Sequence, residues 1–155
     1  VQSSPGFVAA GYASFSLMMA AGRFAGDRFV TRIGPVSLTR ATSFLAASGL
    51  AVPLLFPHPA TVLLGFGCVG LGLSNLIPIL FSTAGTLPDI PSGKGIAAVA
   101  TAGYFGFLAG PPIIGALAEV TTLSTALLSV VTTLFMVTIF ASLTRPPRQQ
   151  DQKTS

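Results

Sequence analysis

Apolar residues fill five long stretches of the chain, and each stretch is separated from the next by a short polar or Pro-containing segment. The stretches span Gly6–Ala21, Pro35–Phe56, Ala60–Gly85, Lys94–Leu117 and Thr122–Leu143. Most of them approach or exceed the roughly 20 residues with which an α-helix crosses a bilayer. The pattern therefore predicts an all-α, polytopic transmembrane helix bundle with five spans.

The basic residues fall on one side of this predicted bundle. Threading the chain back and forth puts these eight side chains on a single face: Arg23, Arg28, Arg32, Arg40, Lys94, Arg145, Arg148 and Lys153. Because loops rich in Lys and Arg stay in the cytoplasm, this face and the carboxyl end are expected to be cytoplasmic, at a bacterial inner membrane. An odd number of spans then puts the amino end outside, which favours a fragment of a longer protein.

The bundle is expected to cover residues 1–143, followed by a polar, disordered cytoplasmic tail at 144–155. Composition agrees, because only 8% of the residues are charged and the mean hydropathy is +0.79. The isoelectric point near 10.0 would suit nucleic acid, but it depends on a few cations beside apolar segments. A basic stripe with interleaved aromatic residues is lacking, so we expect membrane lipid and no nucleic acid as a partner.

The chain offers little for catalysis or metal binding. Its only cysteine, Cys68, lies within the third apolar stretch, and its only histidine, His58, lies between two prolines. Neither has a cluster of ligands or acid–base partners nearby in sequence, so we predict no cofactor, no metal and no enzymatic activity. The glycines at 65, 67 and 70 lie in an apolar run, which favours close helix packing over dinucleotide binding.

The densest group of charges lies between the first and second predicted spans. Gly22 and Gly26 are four residues apart, which would let two helices approach closely. Asp27 lies near the expected start of the next helix, where a carboxylate interacts favourably with free N–H groups. Arg28 and Arg32 would share a face if the first helix continued. Two interpretations stay open, a functional gating loop or a set of anchors at anionic headgroups.

Three polar residues are predicted to lie at mid-depth in the membrane. Tyr12, Asn75 and Tyr104 are each about ten residues, or roughly 15 Å, from the cytoplasmic end of their spans. Transporters bind substrates at this depth, so the three are candidate substrate-binding residues. Pro78 should loosen the turn that contains Asn75. An interhelical hydrogen bond from Asn75 is the alternative interpretation.

The fourth predicted span combines small residues with two prolines. Ala102, Gly106 and Gly110 are spaced by four, so they form one stripe against which another helix can pack closely. Pro111 and Pro112 then remove two hydrogen bonds from the helix. A kinked helix with such a face is suited to gating.

Two of these segments resemble motifs of the major facilitator superfamily (MFS). Residues 22–34 resemble the Gly-x-x-x-Asp-Arg-x-Gly-Arg-Arg signature that joins the second and third helices of each six-helix half, and residues 110–115 resemble a Gly-Pro-x-x-Gly stretch of the fifth helix. The resemblance implies helices eight to twelve of a twelve-helix transporter. It also implies that Gly22, Asp27, Arg28 and Arg32 help to hold one conformation closed on the cytoplasmic side. The chain departs from the signature at its end, where Ile33-Gly34 replaces paired arginines.

The function predicted on this basis is secondary transport of a small solute by alternating access, with the chain as a carboxy-terminal fragment. Its partners would be a small-molecule substrate and the missing amino-terminal half of the same transporter. The alternative is a non-transporting five-span protein, either an assembly partner or a remnant of a transporter. The sequence predicts neither the substrate nor the coupling ion, because a fold alone does not specify them.

Overall fold

The computed structural model describes residues 4–141, and this part of the chain is almost entirely helical, with no strand. The helices are α1 (Pro5–Leu55), α2 (Pro59–Leu73), α3 (Leu76–Gly85), α4 (Ser92–Val120) and α5 (Leu123–Phe140). The prediction of an all-α helix bundle is therefore confirmed. The end of the fifth predicted span and the whole predicted tail lie outside the described residues.

The prediction of five separate spans is wrong. Residues 4–141 contain four helical segments that are long and apolar enough to cross a membrane. The difference arises because α1, 51 residues long, contains the first two predicted spans as two helices that are joined by a kink with no loop between them. Only Gly34 interrupts it, with φ 78° and ψ 161°, a conformation that glycine adopts readily because it has no Cβ.

The two arms of α1, arm A (residues 5–33) and arm B (residues 35–55), run in opposite directions beside α2. The neighbouring positions that establish this are Phe66 with Gly11, Ser74 with Gly22, Gly65 with Pro53, and Gly72 with Thr42. Later residues of α2 contact later residues of arm A but earlier residues of arm B, so arm A runs parallel and arm B antiparallel to α2. The chain therefore folds back at Gly34, and arms A and B correspond to the first two apolar stretches.

Glycines on two faces of α2 allow both arms to pack closely against it. A Cβ at Gly65 would lie 2.6 Å from Pro53 Cγ of arm B, and one at Gly67 would lie 3.3 Å from Met18 Cγ of arm A. At Gly70 a Cβ would overlap the Phe15 carbonyl oxygen. The packing role predicted for these three glycines is confirmed, because larger side chains would push the arms apart.

Helix α5 closes the bundle against arm B. Ala46 and Ala47 are fully buried and form a small core with Leu134 of α5. Beside this core, the rings of Phe44 and Phe135 meet edge to face with centroids 5.9 Å apart. This geometry is favourable for aromatic pairs and adds to the apolar area that the two helices bury.

Ser74 and Asn75 separate α2 from α3 in the middle of the third apolar stretch. Pro78 has no N–H to donate to the Ser74 carbonyl, so the α-helical ladder cannot continue through this turn. The Ile79 N–H donates to the Asn75 carbonyl at 3.1 Å and restarts the helix. The break in the helix therefore falls in the turn before Pro78.

Helix α4 contacts α3 and α5 but carries a long exposed face. It continues as one helix through Pro111 and Pro112, although both prolines lack an N–H donor. A Cβ added at Gly106 or Gly110 would meet no atom within 4 Å. The small-residue stripe therefore has no helix packed on it within residues 4–141, and its packing and gating roles stay predictions.

Candidate functional site: a polar cleft beside the helix break

The charged segment predicted as a loop is instead helical as far as Ile33, so that prediction is corrected. Its two glycines, Gly22 and Gly26, are buried, and this packing offsets their low helix propensity. The Thr31 hydroxyl bonds back to the carbonyls of Asp27, at 3.1 Å, and Arg28, at 2.9 Å. The sharp turn comes only at Gly34, where the backbone angles require glycine.

Asn75 connects the break between α2 and α3 to arm A. Its side chain is 8% exposed, and Nδ2 donates to the Gly22 carbonyl at 3.0 Å and to the Ser74 hydroxyl at 2.9 Å. Its Oδ1 lies over Gly26, where any Cβ would overlap it. The close approach predicted at Gly22 and Gly26 is confirmed. The hydrogen bond from Asn75 is also the interhelical bond that the sequence offered as the alternative to substrate binding.

A cleft of about 460 Å³ opens beside Asn75, between the end of arm A and α3. Its polar lining residues are Asp27, Thr31, Asn75, Ser82, Thr83 and Thr86, and its apolar lining residues are Val30, Pro35, Pro78 and Ile79. Pockets for small molecules commonly have about 300–1,000 Å³ and combine an apolar wall with a few polar groups. The cleft has both the size and the mixed lining of such a pocket.

Asp27 is the charged residue that lines the cleft. Asp27 is exposed, and within residues 4–141 its carboxylate forms no salt bridge. Arg23, one helical turn before it, directs Nη2 towards the Met19 sulfur at 3.8 Å. Arg28 and Arg32 do not line the cleft. The carboxylate therefore gives the cleft a local negative charge at the otherwise basic end of the bundle.

The cleft lies at the end of the bundle where the described basic residues collect. The contact of Gly95 with Ala84 places the start of α4 beside the end of α3. Lys94 therefore lies at the same end as the Gly34 turn and the arginines of arm A. This arrangement agrees with a single basic face, while the assignment of that face to the cytoplasm stays a prediction.

The three predicted mid-depth residues are not brought together within residues 4–141. Tyr12 is 72% exposed and lines an apolar groove of about 500 Å³ beside Val62, near the start of α2. Asn75 lies beyond the other end of α2, about 20 Å away along the helix. Tyr104 is 77% exposed on α4. A role in substrate binding stays a prediction for each of them.

Sequence reasoning missed the contribution of α3 to the cleft. Ser82 and Thr86 follow Asn75 at spacings that put all three on one helical face, together with Ile79. The repetition of polar residues on one face after Asn75 could have indicated that α3 lines a cleft. A single hydroxyl in an apolar helix carries less information, because it can bond to its own backbone.

Relatives of the chain are named as membrane proteins and transporters. The chain is 43% identical over 121 residues to the membrane protein MosC of Rhizobium meliloti, a match that covers 78% of this chain and 30% of that protein. An uncharacterised MFS-type transporter of Yersinia pestis is 37% identical over 139 residues, which cover 90% of this chain and 36% of the relative. The chain is similar to part of an MFS-type transporter. An uncharacterised transporter of Sinorhizobium fredii is 35% identical over 135 residues, or 87% of this chain and 34% of that protein.

The chain thus spans about a third of the length of the curated relatives it matches. No family model matches it, and no solved structure matches it significantly. The long apolar helices together with these relatives identify an integral membrane protein that resembles a piece of a transporter.

Proposed function

We propose that the chain is part of an MFS secondary transporter and that the complete protein moves a small solute by alternating access. The observation that carries this proposal is the 37% identity to an MFS-type transporter across 90% of the chain. The helix break at Ser74–Asn75, next to a polar cleft, supports it. Transporters often bind their solutes where a membrane helix is interrupted.

In this proposal the cleft changes width as arm A and α3 move relative to each other. The Asn75 side chain, at the start of α3, donates a hydrogen bond to Gly22 of arm A, so it would act as the pivot. Asp27 lies on the arm A wall, beyond this pivot. A charge at this position can favour one width of the cleft over the other, which is the gating role implied for Asp27, Arg28 and Arg32.

The exposed stripe of α4 supports a contact with the rest of such a transporter. Gly106 and Gly110 have no neighbour within 4 Å, although small residues in membrane helices commonly mark sites of close helix packing. We propose that the amino-terminal half of the transporter packs on this face. Tyr104 is on the same helix, and its contribution to substrate binding would depend on that half.

The test is solute accumulation by the complete protein in proteoliposomes. Vesicles under an imposed ion gradient are incubated with a mixture of small metabolites, and the trapped solutes are identified by mass spectrometry. We expect at least one solute to exceed its external concentration, and less of it with Asp27→Asn. The matched control is Asp89→Asn, which removes an exposed carboxylate outside the cleft. If no solute exceeds the level in protein-free vesicles, the non-transporting alternative is favoured.

A further inference from the structure

Three polar side chains around the cleft already donate their protons to hydrogen bonds within the protein. The Thr31 hydroxyl donates to the Arg28 carbonyl at 2.9 Å, and the Thr86 hydroxyl donates to the Ser82 carbonyl at 3.1 Å. The Asn75 amide group donates to Gly22 and Ser74. What these three side chains can still offer a ligand is oxygen lone pairs.

The Asp27 carboxylate adds two oxygens that can only accept hydrogen bonds when ionised. It is exposed and forms no salt bridge within residues 4–141, so a ligand can reach it in this part of the protein. The cleft therefore presents a negative charge and several acceptors to whatever enters it. The Ser82 hydroxyl, which also lines the cleft, can either donate or accept. A ligand that matches the Asp27 side of this surface carries a positive charge and N–H donors.

The shape and apolar wall of the cleft narrow the ligand class further. A volume of about 460 Å³ is far larger than one inorganic ion needs, and Val30, Pro78 and Ile79 give it an apolar side. We propose that this cleft binds a small organic molecule with a primary ammonium group. The ammonium lies against Asp27, and its carbon skeleton lies against the apolar wall.

This binding site goes beyond the proposed transport function, because binding can be measured without a gradient and without transport. The same ammonium chemistry occurs in a free amine and in an ethanolamine lipid headgroup. Both would donate N–H groups to the carboxylate, whereas a choline headgroup has no N–H to donate. The experiment therefore compares these sources directly.

A single cysteine in the cleft provides the readout. Ser82→Cys is introduced into the complete protein after Cys68 and any other native cysteine have been replaced by Ser. The rate of its reaction with a neutral methanethiosulfonate reagent is then measured in phosphatidylcholine nanodiscs. Ser82 is exposed and lines the cleft. Cyclohexylammonium is the probe, and cyclohexanol is its neutral counterpart of similar size. A second cysteine variant, Ser92→Cys, reports from outside the cleft.

We expect cyclohexylammonium, but not cyclohexanol, to slow labelling at position 82 and to leave position 92 unchanged. Asp27→Asn should raise the concentration needed for half-protection by about tenfold or more, since the negative charge and one acceptor oxygen are replaced by a neutral NH2 donor. Asp89→Asn should leave that concentration unchanged. If ethanolamine lipid slows the labelling but free cyclohexylammonium does not, the ammonium group belongs to a lipid headgroup. The site would then still bind a primary ammonium through Asp27.

Equal protection by the amine and the alcohol, or protection that survives Asp27→Asn, would overturn the proposal. An intact helical circular dichroism spectrum verifies that the Asp27→Asn protein is folded. A protein that accumulates a solute but shows no ammonium protection would refute this site while leaving the transport proposal standing. Ammonium protection in a protein that accumulates no solute would refute transport and leave the binding site standing.

Discussion

Replacing Gly26 by Ala should destabilise the bundle at the contact between arm A and the helix break. The added Cβ would overlap Asn75 Oδ1 and lie 2.6 Å from Asn75 Cγ. Because Asn75 is only 8% exposed and held by Gly22, its side chain has little room to yield. The substitution must therefore displace either the Asn75 amide or arm A.

The expected cost follows from three contributions. Overpacking costs about 1–3 kcal/mol. Displacing the amide loses its bond to Gly22, and a buried polar group left unpaired costs about 1–3 kcal/mol. Replacing a helical glycine by alanine stabilises the helix by about 0.5–1 kcal/mol, which offsets part of this cost. We expect the free energy of unfolding to fall by about 1–5 kcal/mol for Gly26→Ala.

The free energy of unfolding is measured by titrating the detergent-solubilised protein with sodium dodecyl sulfate and following helical circular dichroism. The matched control is Gly106→Ala, because a Cβ there would meet no atom within 4 Å. That control should be neutral or slightly stabilising. In the double variant with Asn75→Ala, the cost of Gly26→Ala should largely vanish, since the clashing partner is gone. Equal effects for Gly26→Ala and Gly106→Ala, or additive effects in the double variant, would refute the packing described here.

Four further substitutions test other parts of the structure. Asp27→Asn should lower the turnover of the transported solute more than its affinity, and unchanged turnover in the vesicle assay would contradict the gating role. Asn75→Ala should weaken solute binding if Asn75 is a ligand, whereas unaltered affinity in equilibrium binding would leave only its packing role. Thr39→Val should keep or raise the free energy of unfolding, by up to about 1–3 kcal/mol, because the Thr39 hydroxyl is buried without a partner within residues 4–141; a clear loss in the detergent titration would contradict this. Gly34→Ala should lower that free energy by about 1–2 kcal/mol, since φ is 78° there, and an unchanged titration midpoint would contradict the turn.

Hydropathy was sufficient to predict the helices because the requirement to satisfy every backbone group in lipid leaves few alternatives. Pro78 itself pointed to a break in the turn before it, because a missing N–H has a direct structural effect. The lack of a loop between the first two spans, which meet directly at Gly34, could not be read from hydropathy. Residues 22–33 are polar enough for a loop, yet their glycines pack on Ser74 and Asn75, and this tertiary contact keeps the segment helical.

The candidate site was only partly predictable for a similar reason. Asp27 and Asn75 are conspicuous as single polar residues, but their shared cleft depends on arm A running alongside α3. That alignment follows from the reversal at Gly34 and from close packing on the α2 glycines. The sequence placed Tyr12 and Asn75 at the same depth, whereas the structure separates them. Equal depth does not specify which helices are neighbours or which face of a helix is turned inward.

The most direct test of alternating access is the distance across the cleft. Spin labels are attached to Phe29→Cys on arm A and Ser82→Cys on α3 in the complete protein, in which Cys68 and any other native cysteine have been replaced by Ser. Distances are measured by double electron–electron resonance in nanodiscs. A pair at Ser92→Cys and Phe107→Cys within α4, about 22 Å apart along one helix, is the rigid control. We expect two distance populations across the cleft, with a ratio that changes on Asp27→Asn, and one population in the control. A single cleft distance that Asp27→Asn leaves unchanged would contradict gating by arm A and α3.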